Sequence, residues 1–206
     1  MSSIIVIVLC CVSAAFSYLT EEAILSEHSD VVFRPDSTML CIVTDFGDTV
    51  FFNDRRHVKY AEDWGVYRLV DHLEEVNLWV VETSGYEWMD WRIVSGVTGS
   101  VDTVISAPVL SPDARRLLCF NEDITAGFIP NGIQIWKVSD DGLELEFEDV
   151  EVPWGPVEAR WADDSTIVFQ AMSYDQTWEM VTEPGKLLLQ GDGAWRPLDP
   201  EGWVLH

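Results

Sequence analysis

The chain has 206 residues, with 36 acidic side chains against 12 basic ones and a formal charge of −24. Such a surface repels phosphate backbones and anionic lipid headgroups, so no nucleic-acid partner and no membrane-surface partner is expected. A hydrophobic content of 48% excludes a disordered polymer, and ten tryptophans suit half-buried β surfaces.

In chain order, residues 1–17 carry no ionised side chain, and Ile4–Val12 is continuously apolar but short for a bilayer. The small residues Ala14 and Ser17 follow Val12 and Ala15 at cleavage-site spacing. The segment reads as a secretory signal peptide, or else as a buried N-terminal strand. The first reading leaves one β domain over 18–206, a periplasmic or extracellular location and no membrane span in the mature protein. It also removes Cys10 and Cys11. Cys41 and Cys119 remain and read as small buried apolar residues, with a disulfide as the alternative.

Glu21–Ser29 reads as a helical turn or an irregular lead-in. Strands are expected at Val31–Arg34, Met39–Thr44, Thr49–Asn53, Val66–Val70, Val76–Glu82, Glu87–Val94, Val101–Ser106, Arg115–Phe120, Ile133–Val138, Leu143–Glu148, Val157–Trp161, Thr166–Ala171, Thr177–Val181 and Lys186–Gln190. A weak helical period runs over Tyr67–Val76. In Ile133–Val138, Ile133, Ile135 and Lys137 oppose Gln134, Trp136 and Val138. In Leu143–Glu148 the leucines and Phe147 oppose the glutamates. Both alternations predict a sheet with one wet face.

A unit of apolar strand, aspartate turn and apolar strand recurs. It reads VVFRPDSTMLCIV at Val31–Val43, APVLSPDARRLLCF at Ala107–Phe120 and, more loosely, GPVEARWADDSTIVFQ at Gly155–Gln170. Proline fits the second turn position of Arg34–Ser37 and Ser111–Ala114 because its φ is already set there. Pro184-Gly185 and Gly191–Gly193 read as punctuation near the end. These units resemble the blades of WD40-like and TolB-type β-propellers. That resemblance implies an all-β, small or incomplete propeller-like array, with an open sheet stack or β-sandwich as the alternative. A blade takes about 40–50 residues, so the mature chain allows roughly four. The resemblance departs from WD40 in lacking a Gly-His pair and in carrying Ile135-Trp136-Lys137 where Trp-Asp would stand.

No GxSxG, P-loop, GxGxxG or CxxC occurs, and no histidine pair has HxxxH or HxH spacing. No cofactor and no metal site is therefore expected, and enzymatic activity has no signature. Asn121–Asp123 and Asp140–Gly142 could supply only part of a calcium loop. Candidate recognition residues are Tyr86, Trp88 and Trp91, in an aromatic segment with carboxylates. Arg55, Arg56 and His57, in the densest basic cluster, are the others. The arginines could instead pair with the chain's own carboxylates. Phe128–Gly132 reads as an exposed loop on a rigid scaffold, where binding tends to reside. The expected function is secreted, non-enzymatic binding of a protein partner through an acidic surface or loops. The alternatives are glycan or cell-wall binding through exposed aromatics, and a hydrolase with a carboxylate pair.

Overall fold

Apart from two 3-10 turns, one α-helix and fifteen strands make up the regular structure in the computed structural model, which describes residues 20–140 and 142–197. The proposed signal peptide lies outside the described residues. The one α-helix among the described residues, α1 (Glu21–Glu27), begins where Thr20 Oγ1 accepts a hydrogen bond from Ala23 N–H. Glu21 and Glu22 sit at its positive end, where carboxylates are favoured. No helix among the described residues is long and apolar enough to cross a membrane.

The strands of the described residues form an antiparallel meander in four sheets. The first sheet holds β1 (Val32–Asp36), β2 (Met39–Val43) and β3 (Thr49–Asn53). The second holds β4 (Gly65–Leu73), β5 (Leu78–Gly85), β6 (Met89–Ser95) and β7 (Val101–Val104). The third holds β8 (Val109–Leu110), β9 (Arg116–Asn121), β10 (Gly132–Ser139) and β11 (Gly142–Val150). The fourth holds β12 (Trp154–Asp163), β13 (Thr166–Tyr174), β14 (Met180–Leu189) and β15 (Trp195–Pro197). The all-β expectation holds, and none of the sheets closes into a barrel.

The three sequence units are the first hairpins of the first, third and fourth sheets: β1–β2, β8–β9 and β12–β13. Their aspartates do the same physical work. Asp36 Oδ1 accepts from Thr38 N–H and Oγ1–H, Asp113 Oδ1 from Ser111 Oγ–H and Arg115 N–H, and Asp163 Oδ1 from Ser165 N–H and Oγ–H. Each side chain thus satisfies turn donors that the strand ladder leaves over. The second sheet makes the corresponding turn with a 3-10 turn, Glu74–Val76, and Asn77 in the left-handed region at φ 48°.

Buried apolar side chains form three clusters between consecutive sheets. Val32, Leu40, Ile42 and Phe52 pack on Leu69, Trp79 and Val81, with Ile24 of α1. Leu78, Val80, Ile93 and Val104 pack on Leu117 and Cys119. Leu118, Ile133 and Ile135 pack on Trp154, Ile167, Phe169 and Leu187. Cys41 and Cys119 are both buried and free, one on each of two different sheets.

Several expectations need correction. Tyr67–Val76 is no helix; it is most of β4 and its 3-10 turn. Thr177–Val181 and Lys186–Gln190 are not separate strands, because β14 runs unbroken through Pro184-Gly185. β15 pairs only with Leu187–Leu189, so the missing N–H of Pro184 removes no ladder bond on that side. Gly185 lies opposite Phe169, whose ring covers the space a Cβ would need. β15 itself was not anticipated.

The alternation of β10 does not mark a wet face. Its sheet is sandwiched, so Ile133 and Ile135 face the fourth sheet while Trp136 and Val138 face the second. Gln134 is only 7% exposed. Its Oε1 accepts from Ile105 N–H and Trp136 Nε1–H, and its Nε2 donates to Glu148. In β11 the leucines and Phe147 do not share a face. A bulge between Ile135 and Trp136 in the pairing puts Leu143 and Leu145 on one side and Phe147 on the other.

Candidate functional site: an aromatic pocket built by three loops

Three connections meet at one edge of the second and third sheets. The first is 54–64, pinched at its base by backbone hydrogen bonds in both directions between Arg55 and Gly65. Asp54 anchors it: Oδ1 accepts from Tyr67 N–H at 2.9 Å and Oδ2 accepts from Arg56 Nε–H at 2.9 Å. The Asp54 side chain is almost fully buried by these contacts. A 3-10 turn, Ala61–Asp63, then returns the chain to β4.

The second connection is the β5–β6 turn, closed by Gly85 N–H donating to Trp88 O at 2.9 Å. Glu87 takes the left-handed region at φ 59°. The Trp88 indole lies directly over Gly85, in the space a larger residue's Cβ would occupy. The third connection runs from β9 to β10. Asp123 Oδ1 accepts from Ala126 N–H at 2.8 Å, and Oδ2 accepts from Phe128 N–H at 2.8 Å and Ile129 N–H at 3.3 Å. Partial burial alone would raise the Asp123 pKa, but these backbone donors and Gly127 N–H outweigh it and hold the carboxyl below its ordinary value. Asn121 and Asn131 finish the loop, with Asn121 Nδ2 donating to Ile129 O and Pro130 O. Asn131 Nδ2 donates to Val152 O and Trp154 O.

Between them these loops line an open pocket of about 770 Å³. Val58, Tyr60 and Trp64 line it from the first loop, Tyr86, Trp88 and Met89 from the turn, and Phe128 and Ile129 from the third loop. Tyr86 is 55% exposed and Phe128 51%, so the rim offers large apolar surface to solvent. A concave, mostly apolar lining on loops held by a β scaffold is the usual form of a binding site.

Two of the charged groups around it are committed. Arg56 pairs with Asp54 at 2.7 Å, and Asp123 is engaged by its own loop. Glu87 is the lining carboxylate without a hydrogen bond to another described residue. The mostly apolar lining can bury a flat apolar group well, and the Tyr60 and Tyr86 hydroxyls and the Trp64 and Trp88 indole N–H groups have no hydrogen-bond partner among the described residues. Asp149, whose pKa burial raises, stands on β11 and does not line this cavity.

Of the residues singled out in the sequence, Tyr86, Trp88 and Arg56 come together here. Arg55 stands at the loop's base, its guanidinium against Gly65. His57 is exposed and does not line the cavity. Trp91 is elsewhere, lining a separate cleft with Arg68, Glu82 and Ala107 and packing on the core between the second and third sheets. The strand expected over Glu87–Val94 starts only at Met89, which is why the aromatics part company. Sequence reasoning missed Val58, Tyr60 and Trp64; the signal available was apolar bulk in a segment with no strand period. Phe128 lies in the loop marked as exposed.

No protein-family model matches the chain, and no curated protein and no solved structure matches it.

Proposed function

We propose that this protein is an exported, non-enzymatic binding module that engages a protein partner through the three-loop pocket. The partner inserts an aromatic or aliphatic anchor side chain among Tyr60, Trp64, Tyr86, Trp88 and Phe128. The supporting observation is the lining itself: large, apolar and partly exposed. Aromatic anchors in well-packed pockets dominate protein interfaces. The charge of −24 supports a partner with basic residues around its anchor, because complementary fields speed encounter.

In the same reading the four consecutive sheets are propeller-like blades, supported by the aspartate-turn hairpin that opens three of them. Such an array gives loops a rigid base. Export rests on the uncharged apolar stretch over residues 1–17.

Synthetic peptides carrying one aromatic residue flanked by lysines test the proposal. Binding is expected to weaken as salt rises and to weaken about tenfold or more in Tyr86→Ala and Phe128→Ala, the usual loss at an interface anchor. Equal binding by those variants contradicts it. Quenching of tryptophan fluorescence by oligosaccharides, with no peptide binding, would move the assignment to glycans.

A further inference from the structure

A second constellation lies away from the pocket, where α1 meets the second sheet. His28 closes the C-terminus of α1: its N–H donates to Ile24 O, and its own carbonyl accepts from Val31 and Val32 N–H. His72 is on β4, and Glu74 begins the 3-10 turn that follows. The His72 ring stacks on Trp79, centroids 3.7 Å apart and planes 9° apart. His28 stands edge-on to both rings, at 5.0 Å from His72 and 5.1 Å from Trp79. One ligand atom from each of His28, His72 and Glu74 lies within 4.8 Å of the other two.

The hydrogen bonds around His72 decide which of its nitrogens is free. Asn77 Nδ2 donates to Asp45 Oδ2 at 3.2 Å, which turns Asn77 Oδ1 toward the imidazole. His72 Nε2–H then donates to Asn77 Oδ1, also at 3.2 Å. Nδ1 is left with a lone pair, buried, and without a hydrogen-bond partner among the described residues. A buried acceptor left without a donor costs free energy, and a cation would satisfy it. Asn77 is itself fixed: it holds φ 48°, and its carbonyl accepts from Gly96 N–H at 2.8 Å. A carboxylate and an amide thus orient the imidazole from behind, as outer partners orient metal-binding histidines.

We propose that His28, His72 and Glu74 bind one divalent cation of the zinc class, with His72 coordinating through Nδ1. Two imidazoles and one carboxylate suit zinc better than calcium or magnesium, which prefer oxygen alone. Donor atoms around tetrahedral zinc stand about 3.3 Å apart, given bonds of about 2.0–2.1 Å. The 4.8 Å cluster therefore has to contract, and Glu74, which is exposed, can rotate inward to do it. Three protein ligands leave a fourth position for water or an outside donor. The bound ion would tie α1 to β4, which the Glu21 carboxylate already joins by accepting from Leu69 N–H.

The test is zinc alone, added to the full chain and removed by dialysis against a weak chelator. The expected result is one equivalent retained per chain and unaffected by excess magnesium or calcium. Glu74→Gln, an exposed change that leaves the core untouched, should weaken binding about tenfold. His28→Asn should weaken it about a hundredfold, the scale of lost ligands and their outer partners. Circular dichroism establishes that both variants keep the wild-type fold. Failure of the wild type to retain one equivalent overturns the proposal. So does retention that magnesium displaces, or retention equal in both variants, since the ion would then sit on the acidic surface. None of these outcomes depends on the aromatic pocket.

Discussion

Replacing Gly85 by alanine tests how the pocket floor is built. Gly85 is not at positive φ, so alanine meets no backbone strain there. The obstacle is the Trp88 indole: a Cβ at position 85 would stand 1.9 Å from Trp88 Cε2. Ordinary carbon–carbon contact is about 3.5–4.0 Å, so the ring must retreat by about 1.6–2 Å. Overpacking of this kind costs about 1–3 kcal/mol. A chain of this size loses about 2–4 °C of Tm per kcal/mol, so Tm should fall by about 2–12 °C. Thermal unfolding by circular dichroism gives the stability. Fluorine NMR of protein labelled with 5-fluorotryptophan, with Trp88 assigned through Trp88→Phe, gives the ring position. The expected outcome is a lowered Tm and one displaced resonance, that of Trp88. An unmoved Trp88 resonance at wild-type Tm would refute the stacking on which the floor depends.

Three further outcomes follow from the same structure. Hydrogen bonds hold Asp36, Asp163, Asp175 and Asp192 below the ordinary carboxylate pKa of 3.8, led by Thr38 Oγ1–H, Ser165 N–H, Thr177 Oγ1–H and Ala194 N–H respectively. Groups lowered on folding stabilise the protein above their unfolded pKa, and that stability is lost as pH falls through the folded value. Carbon NMR of the carboxyls should therefore show all four titrating below 3.8, with the turns intact at neutral pH; titration at or above 3.8 contradicts the turn account. Gln134→Leu strands the Ile105 and Trp136 N–H donors, which should cost about 1–3 kcal/mol, and an unchanged Tm would refute the buried network. Burial raises the thiol pKa of Cys119 and of Cys41, and mass-mapped alkylation of the native protein should leave both unmodified until denaturant is added.

Strand positions were largely legible because β-branched and aromatic runs alternate with turn residues. The aspartate turns were legible for a local reason: the side chain that forms the turn is written beside the donors it accepts from, as at Asp36 and Thr38. What failed was non-local. One bulge reversed the facing of Leu143 and Leu145 against Phe147, and period-two reading has no signal for it. Pro184 read as a stop because the shortness of β15, which frees that edge, cannot be seen from the residues around the proline. Alternation in β10 was read as core against solvent when both faces are covered by neighbouring sheets.

The site divided in the same way. Tyr86, Trp88 and Arg56 stood out as aromatic or basic concentrations, and the fold gathers them. Trp91 stood equally close in sequence, but one turn at Gly85–Trp88 sends it to another cleft. His28 and His72 fit no ligand spacing because α1 and β4 bring them together across the first sheet's sequence.

If a polypeptide docks in the three-loop pocket, positions 86 and 128 lie against it. The direct measurement is photo-crosslinking in the producing cells, with p-benzoylphenylalanine placed at position 86, at position 128 and, as a control, at position 182 on β14. Discrete protein adducts are expected from positions 86 and 128 and not from position 182. Adducts equally strong from position 182, or none from the two pocket positions, would contradict that docking.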